Sequence, residues 1–245
     1  MDINIFLICY NESIIIENTI NHYKERFPNS IIYILNNYST DNSVDIAMNK
    51  NCKIINSTSE ILKNNIDEIE YLKLKNELWK NYEKGWTIIC DMDELLDINE
   101  NDLIYENSQN VTIINTLGVQ MVGESKEEDL SDICIKNINK GYLDGAFNKK
   151  ICFNSSYIND IIFSPGAHQC NPIGEIKYSH KKYYLKHYNF LGEKYYINKI
   201  LNRNKRKPNE YLKIGWAFHY INDINKIKEI YNDSLNKSKN IDELY

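Results

Sequence analysis

The order of apolar runs in the first ninety-odd residues limits the fold more than any other feature. Ile3 to Tyr10 is apolar throughout and stops at a polar Asn11-Glu12-Ser13 turn, which reads as a buried strand. A helical pattern follows to Phe27 and is closed by Pro28, which cannot continue a helix. Ile31 to Leu35 is the second strand, and Ser39-Thr40-Asp41 offers caps for a short helix through Met48. Cys52 to Ile55 is the third strand. From Ile66 to Lys84, apolar residues recur at helical spacing (Ile66, Ile69, Leu72, Trp79, Tyr82), with Gly85 at the end. Trp86 to Cys90 is the fourth strand. This β-α-β-α-β-α-β order predicts a parallel sheet covered by helices on both faces.

Beyond residue 110 the pattern loosens. Short strands are predicted at Val111 to Leu117, Ile151 to Phe153, Ile161 to Phe163 and Tyr183 to Tyr188, and residues 192–206 and 222–239 read as polar helices. No linker-like shift in composition separates the halves, so a single domain over 1–245 is expected. With 29 basic and 34 acidic residues the net charge is −5, which argues against a nucleic-acid partner. No apolar run approaches a bilayer span and no basic-then-apolar leader opens the chain, so no transmembrane segment and a cytoplasmic location are expected. The six cysteines are scattered without a Cys-x-x-Cys pair, which fits a reducing compartment better than a zinc site or a disulfide framework. Tyr, Asn, Ile and Lys abound and Arg occurs only at 26, 203 and 206, the bias of a low-GC genome. Large DNA viruses are among the owners this fits, in which case the location is the host cytoplasm.

The chemistry concentrates at Asp91-Met92-Asp93-Glu94, at the carboxyl end of the fourth strand. In extended chain residues two apart face the same side, so Asp91 and Asp93 would share one crevice, at the sheet edge where open α/β sheets bind ligands. Two hard oxygen donors suit Mg²⁺ or Mn²⁺, which in turn neutralise a diphosphate. Other phosphate motifs fail. No Gly-x-Gly-x-x-Gly follows the first strand, and Gly118 and Gly123, spaced as in a P-loop, are followed by Glu124-Ser125 where Lys-Ser/Thr is needed.

Taken together, Cys9 to Ser13, Asn36-Asn37-Tyr38-Ser39-Thr40-Asp41-Asn42-Ser43, Lys75-Asn76 and Trp86 to Leu95 resemble the GT-A glycosyltransferases of the family 2 type in order and spacing. Gly166-Ala167-His168, Pro172-Ile173-Gly174, Leu185-Lys186-His187-Tyr188 and Gly215-Trp216-Ala217-Phe218-His219-Tyr220 extend the likeness more loosely toward a branch with a Gly-x-His loop and a later His-Tyr strand. The resemblance implies a GT-A, Rossmann-like, mostly parallel sheet flanked by helices, with a helical carboxy-terminal extension. It divides the domain into a nucleotide-binding half (1–110), an acceptor and metal half (111–190) and the extension (191–245).

The resemblance also implies roles. Asn11, Glu12, Asn36, Lys75 and Asp91 would bind the nucleotide sugar, Asp91 through the ribose or a metal-bound water. Asp93 would ligate Mn²⁺ or Mg²⁺ directly, with Asp91 and His187 completing the set. Asp144 and His168 are the catalytic candidates, and Glu124 is the alternative carboxylate. Two positions depart from the family pattern: Asn36 stands where an Asp accepts the uracil N3 hydrogen, and Tyr38 replaces the Gly of that turn. The expected activity is metal-dependent transfer of a sugar from a nucleoside diphosphate sugar, with a UDP-sugar favoured, to a glycan, lipid or protein acceptor. Nucleotidyl transfer and a non-catalytic nucleotide-sugar scaffold are the alternatives.

Overall fold

All seven residues of β1 (Ile3–Cys9) are buried. Ile5, Leu7 and Cys9 enter one apolar cluster, while Phe6 and Ile8 enter another on the opposite face. A strand covered on both faces belongs in the middle of a sheet. In the computed structural model, which describes residues 1–63, 65–127, 130, 132–207 and 222–244, β1 lies between β2 (Ile31–Asn36) and β4 (Trp86–Asp91), parallel to both. β3 (Lys53–Asn56) extends the sheet beyond β2, again in parallel. Helix α1 (Ile16–Arg26) sends Ile16, Ile20 and Tyr23 into the first cluster. Helix α2 (Ser43–Asn49) precedes β3. The predicted 66–84 helix is shorter than its apolar spacing suggested. It is α3 (Glu68–Glu77), capped by Asp67, and it passes into a 3₁₀ turn at Leu78–Asn81 that delivers Trp79 to the second cluster.

The second half comprises β5 (Glu94–Leu96), α4 (Glu100–Ser108), β6 (Ile113–Ser125), β7 (Lys140–Leu143), β8 (Cys152–Asn154), β9 (Ile158–Asp160), β10 (Ile173–Gly174), β11 (Tyr178–Gly192), α5 (Glu193–Lys205), α6 (Ile224–Lys237) and β12 (Lys239–Asn240). The principal sheet runs β12-β7-β6-β8-β4-β1-β2-β3, with β11 beside β6 and β5. The mostly parallel GT-A sheet expected from the sequence is corrected here to a mixed one. β8 is antiparallel to β4 and β6, β7 to β6, β12 to β7, and β5 to β11; beyond β4, only β11 with β6 is parallel. The reason is the connections: β7 and β8 follow loops and 3₁₀ turns, whereas a parallel neighbour needs a long crossover, usually a helix.

The predicted strand at 161–163 is absent. Ile162 has φ 44°, which breaks the extended backbone, and Phe163 makes only an isolated bridge to Cys170. The strands expected at 111–117 and 183–188 are longer than predicted and become β6 and β11. α5 and α6 dock on that pair through Val122, Phe190, Tyr196, Ile200, Ile227 and Tyr231, and the Tyr231 hydroxyl donates to the Gly123 carbonyl at 2.6 Å. The Gly215 to Tyr220 element lies outside the described residues.

Candidate functional site

Strand β4 ends at Asp91, and the chain turns at Met92-Asp93 into β5. One face of α1 holds this turn by its backbone. The Thr19 hydroxyl donates to Met92 O at 2.8 Å, the Tyr23 hydroxyl donates to Glu94 O at 2.9 Å, and His22 Nε2 donates to Leu96 O at 2.9 Å. Burial, and then Arg26, push His22 down to about 4, so its ring is neutral. Because the backbone turns between them, Asp91 and Asp93 do not share one environment, and the two-residue alternation of a strand does not extend across the pair.

Asp93 is buried at 3% exposure. Its Oδ2 lies 2.6 Å from Lys199 Nζ of α5 and 3.4 Å from His187 Nε2 of β11. Burial opposes ionisation, but Lys199 and His187 hold this carboxyl well below the ordinary range. Sheet register puts His187 beside Gln120 of β6 and beside Glu94 of β5. Gln120 Nε2 donates to Asp144 Oδ2 at 3.3 Å, which turns its Oε1 toward His187 Nδ1 at 2.8 Å. Nδ1 therefore donates to Gln120, and Nε2 is the ring nitrogen that faces the Asp93 carboxylate.

The Lys199 ammonium is the cation that the protein itself places on that carboxylate oxygen. Two donors each ~2.1 Å from an octahedral cation, at a right angle, lie ~3.0 Å apart, close to the spacing seen. Asp93 and His187 thus fit neighbouring ligand positions of Mg²⁺ or Mn²⁺, with Gln120 as the partner that sets the imidazole tautomer. Among the described residues no three His, Cys, Asp or Glu side chains converge as a ready cluster. The remaining positions would fall to water and phosphate, as is usual for Mg²⁺.

Asp91 turns the other way. Its Oδ1 pairs with Lys75 Nζ at 2.9 Å and its Oδ2 lies 3.9 Å from Lys149 Nζ. Burial raises this carboxyl, but Lys75 and then Lys149 bring it below its ordinary value. Lys75 is buried at 5% exposure on α3 rather than solvated, and the next residue, Asn76, accepts the Phe163 N–H at 2.8 Å. Lys149 also pairs with the fully buried Glu94, whose other oxygen accepts the Asp91 N–H at 3.2 Å.

The other predicted residues fall into two groups. Glu12 faces the same crevice. Burial first, then Asp93 and Asp91, push its carboxyl up to about 7 against Lys199 and Arg203. Asn11 and Asn36 shape the loops after β1 and β2: Asn11 Oδ1 accepts from Thr40 N at 2.7 Å, and Asn36 spans Asn56 and Ser39 N, both at 2.9 Å. Asp144 caps the 3₁₀ turn Gly145–Phe147 and touches Gln120. Phe147 stacks on His187 at 4.1 Å and meets His168 edge-on at 5.5 Å, so the Gly-x-His loop does approach the site. Two glycines permit this closeness. A Cβ on Gly118 would lie 2.5 Å from Phe147 Cβ, and one on Gly166 (φ 68°) would lie 2.6 Å from the His168 ring. His168 Nδ1 donates to Ala146 O at 2.6 Å, and burial with Lys149 lowers its pKa. Glu124 is held outside, on Lys140 at 2.8 Å. Gln120, Lys149 and Lys199 were not singled out from the sequence. A glutamine inside the apolar run Val119-Gln120-Met121-Val122 was the one readable signal among them.

No family model matches the chain, and no curated protein does. Among solved structures it is similar to S. aureus TarS (13% identity, TM-score 0.42, covering 82% of this chain and 40% of that one). It is also similar to residues 1–349 of TarS in complex with UDP (14%, 0.43, 84% and 65%). A third likeness is to glucosyl-3-phosphoglycerate synthase from Mycobacterium tuberculosis with Mn²⁺, UDP and glucosyl-3-phosphoglycerate (14%, 0.32, 48% and 44%). The chain therefore spans 40% to 65% of the length of the TarS chains. The expected membership of the GT-A, family 2-like group is withdrawn: no family or curated match supports it, and likenesses this distant do not place the chain there.

Proposed function

We propose that the chain is a metal-dependent glycosyltransferase, moving a sugar from a nucleoside diphosphate sugar to a hydroxyl of a glycan, lipid or protein. One observation carries the reading: Asp93 and His187 meet at 3.4 Å beside the carboxyl end of β4, with Lys199 on the same carboxylate and the buried Lys75 and Lys149 on neighbouring Asp91. Asp93 and His187 would hold Mn²⁺ or Mg²⁺, with Asp91 oriented by Lys75 toward the ribose or a metal-bound water. Bound there, the cation would supply charge stabilisation to the departing diphosphate. Lys75 and Lys149 add positive charge on the same side. Asn11, Glu12 and Asn36 line the nucleotide side of the crevice, consistent with a UDP-sugar. His168 is better placed than Asp144 to take the acceptor proton. Its Nδ1–H is committed to Ala146 O and its lowered pKa leaves Nε2 unprotonated at neutral pH, whereas Asp144 is committed to Ala146 and Gln120. No described helix is long and apolar enough to cross a membrane.

The test is a panel of UDP-, GDP- and dTDP-sugars, with and without Mn²⁺, with chromatography of the nucleotide products. Mn²⁺-dependent release of a nucleoside diphosphate is the expected result. Pyrophosphate release would assign nucleotidyl transfer instead. Equal nucleotide affinity with and without Mn²⁺, and no turnover, would assign a binding scaffold.

A further inference from the structure

We infer that Lys199 is the resident counter-ion of Asp93, competing with the divalent cation for Oδ2, and that it passes to the donor's diphosphate when the cation loads; this rests on the metal-site reading above. Lys199 Nζ lies 2.6 Å from the same oxygen that faces His187 Nε2 at 3.4 Å. The Lys199 side chain is 9% exposed. A divalent cation and an ammonium on one carboxylate oxygen repel each other by more than that oxygen attracts the ammonium, so the cation wins Oδ2 and the lysine is the group displaced. Loading therefore requires the ammonium to leave. Its way to water is restricted, since Nζ also lies over the Tyr195 ring, 5.5 Å from the centroid, and Tyr195 packs against the main apolar cluster. A diphosphate arriving beside the cation supplies the missing anion. The lysine thus makes the cation bind weakly alone and strongly together with nucleotide.

Calorimetric and electron-spin-resonance titrations of Mn²⁺, on wild type and on Lys199→Met, with and without UDP, test this. Without nucleotide, Lys199→Met should bind Mn²⁺ at least roughly tenfold more tightly, as expected when a neighbouring unit charge is removed. The gain in Mn²⁺ affinity that UDP produces should shrink in the variant. Unchanged or weaker Mn²⁺ binding by Lys199→Met overturns the inference. Asp93→Asn separates the two levels: if it abolishes Mn²⁺ binding while Lys199→Met leaves it unaltered, only the role of Lys199 fails. If no variant alters Mn²⁺ binding, or none is seen, the metal site itself fails and the inference with it. Should Lys199→Met not fold, amine acylation of the wild type followed by mass spectrometry decides. Mn²⁺ should speed labelling of Lys199 and added UDP should slow it again, whereas labelling indifferent to Mn²⁺ overturns the inference.

Discussion

Lys149→Met tests how the turn that carries both aspartates is held. The Lys149–Glu94 pair is nearly dry, with side-chain exposures of 3% and 1%. Methionine fills similar space but leaves the Glu94 carboxylate buried without its cation. Removing one partner of such a pair costs about 3–5 kcal/mol, because the remaining charge has lost its compensation. At roughly 2–4 °C per kcal/mol for a chain of this size, the midpoint of thermal unfolding should fall by about 6–20 °C. Glu94→Gln in the same chain removes the stranded charge while keeping an acceptor for the Asp91 N–H, so the double variant should regain most of the loss. Urea denaturation of the four proteins closes the cycle and yields the coupling energy directly. A loss below about 1 kcal/mol, the size of an exposed pair, would refute the reasoning, as would a double variant no more stable than Lys149→Met.

Asp93→Asn should remove Mn²⁺-dependent turnover while the chain stays folded; full activity at limiting Mn²⁺ would exclude Asp93 as a ligand. His187→Ala should weaken Mn²⁺ binding whereas His168→Ala should chiefly lower turnover, and metal titrations on the two variants show whether the pattern holds or is reversed. Gly118→Ala drives a methyl into Phe147 and the Asp144 carbonyl, so it should destabilise by about 1–3 kcal/mol and weaken Mn²⁺ binding by shifting the ring stacked on His187. His22, lowered to about 4, stays neutral in the fold while the unfolded chain takes a proton near 6.5. Its contribution is therefore present above 6.5 and lost as pH falls toward 4, up to about 3 kcal/mol. His22→Gln should flatten that part of the stability profile, and an unchanged slope would point to another group.

The first half of the fold was legible because its information is local. β1 is apolar on both faces, its flanking turns are polar, and each helix sits between consecutive parallel strands, so the order of elements specifies the pairing. From β4 onward the pairing is non-local. β11 lies between β5 and β6, joining residues ninety and sixty-odd positions away in sequence, and nothing in the run Tyr183 to Tyr188 announces either neighbour. The position of His187 was therefore readable only as lying on a strand, whereas its contacts with Gln120 and Asp93 depend on a register that no spacing encodes. The Asp91-x-Asp93 motif identified the correct turn, but the argument that both side chains face one way assumed a strand that ends at Asp91. The burial of Lys75 was not legible in the spacing of α3, because it depends on distant chain such as the Phe163 backbone, which Asn76 ties across that helix.

On the proposed reading, the charges of the crevice bear on how an acidic chain would take up a diphosphate. Asp91, Asp93 and Glu94 contribute three negative charges, and Lys75, Lys149 and Lys199 contribute three positive ones within contact of them. These six balance before any ligand arrives; Arg203 and Glu68 act on the same groups with opposite signs, and Glu12, with its carboxyl near 7, shifts the balance by part of a charge at neutral pH. A neutral crevice offers a lone dication no net attraction, and it offers a bare diphosphate none either. The two neutralise much of each other's charge, so arriving together they disturb the balance least. Arriving singly, either must first break one of the buried ion pairs. Joint loading of cation and nucleotide follows from the charge arrangement around Asp91 and Asp93, whatever sugar the nucleotide carries.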